Sequence, residues 1–177
     1  LPPPESWHPL REQLIQQALA QPVVSVHRDF DAMNLMVHDQ RLFMIDFQDA
    51  VAGPLSYDLI SLLRGRYCRF SDEQFSDFVS AFYQQARRDG RLPSRVDFAT
   101  FLIQCHAMAA QRSLKVLGIF CRLTLRDQKS GYLERLPHFL DHLEDSLSFL
   151  TEQTDFTEWV TLTFRPALMK RLAEMTQ

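Results

Sequence analysis

The sequence predicts a mainly α fold carrying one short strand and one β-hairpin, on three observations. Glycine is scarce, five in 177 residues, while Leu, Phe and Gln are abundant, a balance that favours helix. From Ser71 onward apolar residues recur at three-and-four spacing, the period of one helix face. Only between Pro22 and Ile45 do short apolar runs bounded by polar residues read as strands. The length predicts one domain over residues 1–177, with a core that needs no disulfides.

Leu1 to Pro4 predict an extended lead-in, and residues from about 8 to 20 a short amphipathic helix stopped by Pro22. Pro22 to Val26 predict a short buried strand. Leu35-Met36-Val37 and Leu42-Phe43-Met44-Ile45 predict the two hairpin arms, with His38 to Arg41 as the polar turn. A loop is expected from Asp46 to Pro54, then a helix from Tyr57 to about Arg64 capped by Ser56. Phe75, Phe78, Val79 and Phe82 form a helical stripe that Gly90 terminates. Pro93, Ser94 and Asp97 suggest a capping box for a central helix that is apolar on more than one side. Leu133, Leu136, Leu140, Leu143, Leu147 and Leu150 make an apolar seam suited to a bundle core. A last helix, from about Phe156 to Met175, should bend or break near Pro166.

A net charge of −3 carries no electrostatic footprint for nucleic acid. No apolar run approaches the roughly 18–20 residues of a membrane span. Leu-Pro-Pro-Pro at the start lacks the features of a signal peptide. Cys68, Cys105 and Cys121 show no ligand spacing and read as thiols of a reducing compartment. The expectation is a cytoplasmic protein with no nucleic-acid or membrane partner.

The chemistry concentrates in His27-Arg28-Asp29-Phe30-Asp31-Ala32-Met33-Asn34 and in Ile45-Asp46-Phe47. Phosphoryl transfer needs a carboxylate to orient or deprotonate an acceptor hydroxyl, and hard oxygen ligands for the Mg²⁺ on the phosphates. Asp29 suits the first task. Folding the hairpin about Gln40 sets Asn34 opposite Asp46, and a carboxamide beside a carboxylate suits Mg²⁺ rather than Zn²⁺.

The pattern H-x-D-x-x-x-x-N followed by D resembles the catalytic loop and metal-binding Asp of the protein-kinase-like superfamily. Ile45-Asp46-Phe47-Gln48, and the run Gly53-Pro54-Leu55-Ser56-Tyr57-Asp58-Leu59 before a helix, resemble the aminoglycoside phosphotransferase/choline kinase family. HRDFDAMNLMV, IDFQDAVAGPLSYDLISLLR and QRSLKVLGIFCRL are similar to a bacterial branch of it. That branch holds the anomeric kinases of cell-wall recycling, which phosphorylate N-acetylmuramate and N-acetylglucosamine at the 1-hydroxyl. The resemblance runs from about Ala20 to Leu150, and Arg28 stands where the family usually has a small residue.

The resemblance implies the C-terminal lobe of a protein-kinase-like α+β fold. It implies Asp29 as catalytic base, Asn34 and Asp46 as Mg²⁺ ligands, and His27 as a structural member of the loop. Asp58 would brace that loop by accepting backbone hydrogen bonds. ATP would be the donor and a small-molecule hydroxyl the acceptor. The usual ATP-binding N-terminal lobe has no place here: the lysines are only Lys115, Lys129 and Lys170, no two glycines are close, and 26 residues precede His27. The chain is therefore expected to partner an N-terminal lobe of the same protein and to be inactive by itself.

Further residues are weighed against plainer roles. Asp31 suits contact with a sugar acceptor and Asp49 an outer position, each against a solvated or capping Asp. Arg64, Gln104, His106 and Arg112 suit the acceptor pocket, against ordinary ion pairs and core polar residues. His138 and His142, four apart, suggest a metal pair without a third ligand and read as surface histidines. Trp7 and Trp159 read as packing residues. One competing function is an aminoglycoside- or choline-type kinase, which would draw on Asp77, Glu134, Asp141, Glu144 and Asp145. Another is a non-catalytic binding module on a retained lobe.

Overall fold

A computed structural model of the chain describes residues 4–175. In chain order the described residues form α1 (Trp7–Leu19), β1 (Val23–Val26), β2 (Leu35–His38), β3 (Arg41–Met44), β4 (Val51–Pro54), α2 (Tyr57–Leu63), α3 (Asp72–Arg88), α4 (Phe98–Leu125), α5 (Leu136–Leu147), α6 (Thr154–Trp159) and α7 (Arg165–Met175). The chain divides into two compact units: Gln17–Met108, and the chain up to Gln16 together with Ala109 onward. The mainly helical expectation holds, with four short strands in two antiparallel pairs, β1 with β4 and β2 with β3.

The first unit carries the polar loop. β1 is less buried than its sequence suggests, for only Val26 is covered while Val23 is 71% exposed. Its partner β4 falls where a loop was expected. Val26 faces Val51 and Val23 faces Pro54, and Leu55 N–H extends the ladder to the Pro22 carbonyl. Gly53 permits this close approach, since a Cβ there would lie 2.8 Å from Val26 Cγ2.

The hairpin closes through Asp39 and Gln40, both left-handed at φ 47° and 60°, the geometry of a two-residue primed turn. Leu35 then faces Met44. The fold axis lies between Asp39 and Gln40, so Asn34 meets Ile45 rather than Asp46. The apolar side chains of both arms are largely exposed, among them Met36, Val37, Leu42 and Phe43.

Behind the strands, α2, α3 and the start of α4 supply a core of Ile60, Leu63, Phe75, Val79 and Phe101. Phe82 stacks on Phe101 at 6.0 Å. Phe78 is half-exposed and meets Phe70 instead of the core. Ser71 and Gln74 form a reciprocal capping box on α3, which satisfies donors the helix leaves orphaned.

Two expected caps differ. Ser56 precedes α2 without a side-chain capping bond, because its backbone is already helical, at φ −80° and ψ −7°, instead of the extended form a cap takes; its N–H donates to Gln21 Oε1. At α4 the box of Ser94 and Asp97 does not form. Asp97 itself takes the Thr100 N–H at 2.8 Å, three residues closer to the apolar run.

In the second unit Leu136, Leu140, Leu143, Leu147 and Leu150 are all buried within the chain, so the seam is bundle core. Phe120 packs edge-on against Phe139 at 5.4 Å. The final helix is interrupted by a π turn over Val160–Phe164, just before Pro166, whose ring and missing N–H disrupt regular bonding to the preceding turn. Arg165 joins α7 to α5 through Asp141 and Glu144. An apolar cavity of about 270 Å³ is lined by Trp7, Leu117, Cys121, Leu143, Phe156 and Trp159. His138 and His142 are not surface histidines: His142 is fully buried, its Nε2 3.1 Å from His138 Nε2.

Candidate active site

His27 follows directly on β1 and is buried. Its Nε2 lies 2.8 Å from the Ile45 carbonyl, and since a carbonyl only accepts, the ring donates there. One imidazole thus joins the polar loop to the residue before Asp46. Arg28 follows with φ 74°, a left-handed backbone that costs a non-glycine residue about 1–3 kcal/mol. Asp58 counters that cost. Its Oδ2 accepts the His27 N–H at 2.6 Å and its Oδ1 the Arg28 N–H at 3.1 Å. These bonds reach across about thirty residues from the first turn of α2.

Asp29 is exposed. Among the described residues its carboxylate has no hydrogen-bond partner, whereas its main-chain carbonyl accepts from Asn34 Nδ2 at 2.9 Å. Asn34 ends a single 3-10 turn, Ala32–Asn34, which Asp31 caps by accepting the Met33 N–H. The carboxamide nitrogen of Asn34 is thereby committed, and its oxygen is left for another ligand. Across the hairpin mouth, Ile45 N–H donates to the Asn34 carbonyl at 3.0 Å, which brings Asp46 next to Asn34 in the chain's path. Asp46 is also left-handed, at φ 64°. One carboxylate oxygen accepts from Gln48 Nε2 at 2.7 Å.

The remaining expected residues divide. Asp31 is engaged on both oxygens, by Met33 N–H and by Arg66 Nε at 3.2 Å. Asp49 is exposed and offers its main-chain carbonyl to the Arg28 guanidinium. Arg64, Gln104 and His106 are buried. Arg64 lies over the Phe75 ring at 4.4 Å, with His106 against that ring at 4.9 Å, so both stand in the core beneath α3. Arg112 falls in the other unit. Sequence reasoning missed Gln48, which holds Asp46, and Arg66, which holds Asp31. In Arg64-Gly65-Arg66 the two cations are equivalent on paper, and only burial separates them. Among the described residues no three His, Cys, Asp or Glu side chains converge on a metal position.

The chain is 44% identical over 137 residues to the N-acetylmuramate/N-acetylglucosamine kinase of Neisseria meningitidis serogroup B, covering 77% of this chain and 41% of that protein. It is 34% identical over 155 residues to the protein of that name in Pseudomonas putida, covering 88% and 45%. With the Pseudomonas aeruginosa protein it shares 34% over 152 residues, covering 86% and 45%. The chain thus spans less than half the length of these curated relatives. The sequence profile of the APH phosphotransferase enzyme family matches residues 2–98, more than half of the chain, and the chain belongs to that family.

Proposed function

We propose that the complete protein transfers the γ-phosphoryl group of ATP to the anomeric hydroxyl of an amino sugar, N-acetylmuramate or N-acetylglucosamine. The observation that carries this reading is the exposed, unpartnered carboxylate of Asp29, tied through its own carbonyl to Asn34. The names of the relatives supply the acceptor class.

Asp29 orients the acceptor hydroxyl and takes its proton as the oxygen attacks the γ-phosphorus, while the bridge to the β-phosphate breaks and ADP leaves. Asn34 holds the loop carrying that carboxylate and presents its carboxamide oxygen. Asp46 presents the carboxylate oxygen that Gln48 does not engage. Two hard oxygens on adjoining segments fit Mg²⁺, and Asn34 and Asp46 would be the residues to hold it. When bound, the ion would neutralise charge on the β- and γ-phosphates. His27 and Asp58 fix the loop and touch no reacting atom.

In this reading residues 1–177 are the catalytic and acceptor-binding lobe, and an ATP-binding lobe of the same protein rests on the exposed apolar hairpin. The piece alone would turn over ATP poorly. The cytoplasm is its place, in keeping with three free thiols. A cationic acceptor fits less well, because Asp141 and Glu144, two of the helical carboxylates it would need, are engaged by Arg165.

Phosphorus NMR of the complete reading-frame product tests the proposal, with Mg-ATP and a panel of N-acetylglucosamine, N-acetylmuramate, choline and an aminoglycoside. A new phosphomonoester coupled to an anomeric proton is expected. Mg-ATP binding with no such signal removes the sugar assignment, and no Mg-ATP binding removes the kinase reading.

A further inference from the structure

Beside the loop that carries Asp29 lies a narrow cleft lined by Asp31, Ala32, Ser61, Gly65, Tyr67 and Cys68. Its volume is about 20 Å³, room for one water. The cleft is polar on two sides. Ser61 Oγ is buried and has no hydrogen-bond partner, an uncommon state for a buried hydroxyl and one a ligand would relieve. Facing it is Asp31, and Asp31 is where Arg66 is anchored. The guanidinium uses Nε on Asp31 and lies 5.7 Å from the Tyr67 ring. Its two terminal amino groups have no protein partner among the described residues, and the side chain is 49% exposed.

We infer that Arg66 recognises an anionic substituent of the acceptor, a carboxylate, and sets preference for a carboxylated amino sugar over its neutral counterpart. The inference rests on the sugar-kinase reading and specifies its acceptor. A guanidinium with two outward amino groups presents the fork that matches a carboxylate. Asp31 holds that fork two residues from Asp29 and, by capping the turn that ends at Asn34, ties anion recognition rigidly to the catalytic loop. Arg64 cannot serve, being buried against Phe75. The 270 Å³ cavity of the other unit is apolar throughout and offers a carboxylate nothing.

The test compares the complete protein with Arg66→Met and Arg66→Lys, each first shown to melt like the parent. The readout is the ratio of kcat/KM for N-acetylmuramate to that for N-acetylglucosamine, in which losses common to both sugars cancel. Arg66→Met should lower the ratio about tenfold or more, the scale of a lost charged hydrogen bond. Arg66→Lys should recover part of it, keeping the charge without the fork. An unchanged ratio overturns the inference while leaving the kinase reading in place. A second readout does not need turnover. Cys68 is exposed at the cleft, so N-acetylmuramate should slow its modification by a thiol reagent more than N-acetylglucosamine does, and Arg66→Met should abolish the difference. Equal protection by both sugars overturns the inference. Protection that persists with no turnover on either sugar upholds it as a binding site and overturns only the kinase reading.

Discussion

The carboxamide nitrogen of Asn34 donates to the main-chain carbonyl of Asp29 at 2.9 Å. This bond joins the proposed base to a proposed ligand and fixes which end of the carboxamide faces outward. Asn34→Asp therefore sets a carboxylate oxygen against that carbonyl. The expected result is a large fall in kcat, with a loss of about 1 kcal/mol in stability from the lost bond, measured by steady-state kinetics and urea denaturation.

Asp29→Asn separates catalysis from folding. The carboxylate is exposed and bonded to nothing among the described residues, so urea stability should not change. Turnover by the complete protein should fall about 10²–10⁴-fold, the usual contribution of a positioned general base. Intact ATP and sugar binding with no change in rate would identify a binding module instead.

Asp58→Asn replaces one acceptor oxygen with a donor facing a donor. Bonds to a charged group are worth about 1.5–3 kcal/mol each, and Asp58 makes two to the His27 and Arg28 amides. A loss of roughly that size is expected in urea denaturation, together with a fall in kcat because the loop loses its brace. A fall in kcat with stability intact would contradict the bracing role.

Arg28 occupies a left-handed backbone, where glycine is free of strain and β-branched residues fare worst. Stability should follow the order Gly, Arg, Val at this position. Thermal melting of Arg28→Gly and Arg28→Val reads that order directly, and an Arg28→Val variant as stable as the parent would refute it.

Gly53→Ala forces a methyl to within 2.8 Å of Val26 Cγ2. Overpacking of this kind costs about 1–3 kcal/mol. Val26→Ala in the same chain removes the clash, so the double variant should be less destabilised than the two single losses added. Additive losses would mean that β1 and β4 part without strain.

Much of this was legible in the sequence, and the failures have physical causes. The hairpin arms and the helix periods follow from local patterning, which depends on nearest neighbours alone. The sequence leaves the register open by one residue, because the polar run His38 to Arg41 does not reveal that only Asp39 and Gln40 turn the chain. β4 does not show in the sequence because Ala52, Gly53 and Pro54 have weak strand preference. That segment becomes a strand because β1 supplies the ladder, a tertiary effect. The burial of His142 and Arg64 was invisible for a similar reason, since polarity states a preference and the surrounding Leu and Phe residues decide the outcome. Asp31 is marked in the sequence as a residue near the acceptor, but Arg66 is not, because its tie to Asp31 spans the hairpin, β4 and α2.

Asp58 has a kinetic corollary for the loop it holds. The amides of His27 and Arg28 lie beyond the last paired residue of β1, where backbone protons ordinarily trade with solvent within seconds to minutes of local fraying. Here each is locked to a carboxylate on α2, so neither proton escapes until that helix lets go. Deuterium uptake at these amides should track the opening of α2, while the exposed hairpin beside them exchanges early. Loop and helix, far apart in sequence, form one cooperative unit, and the site is lost in a single step instead of loosening by degrees.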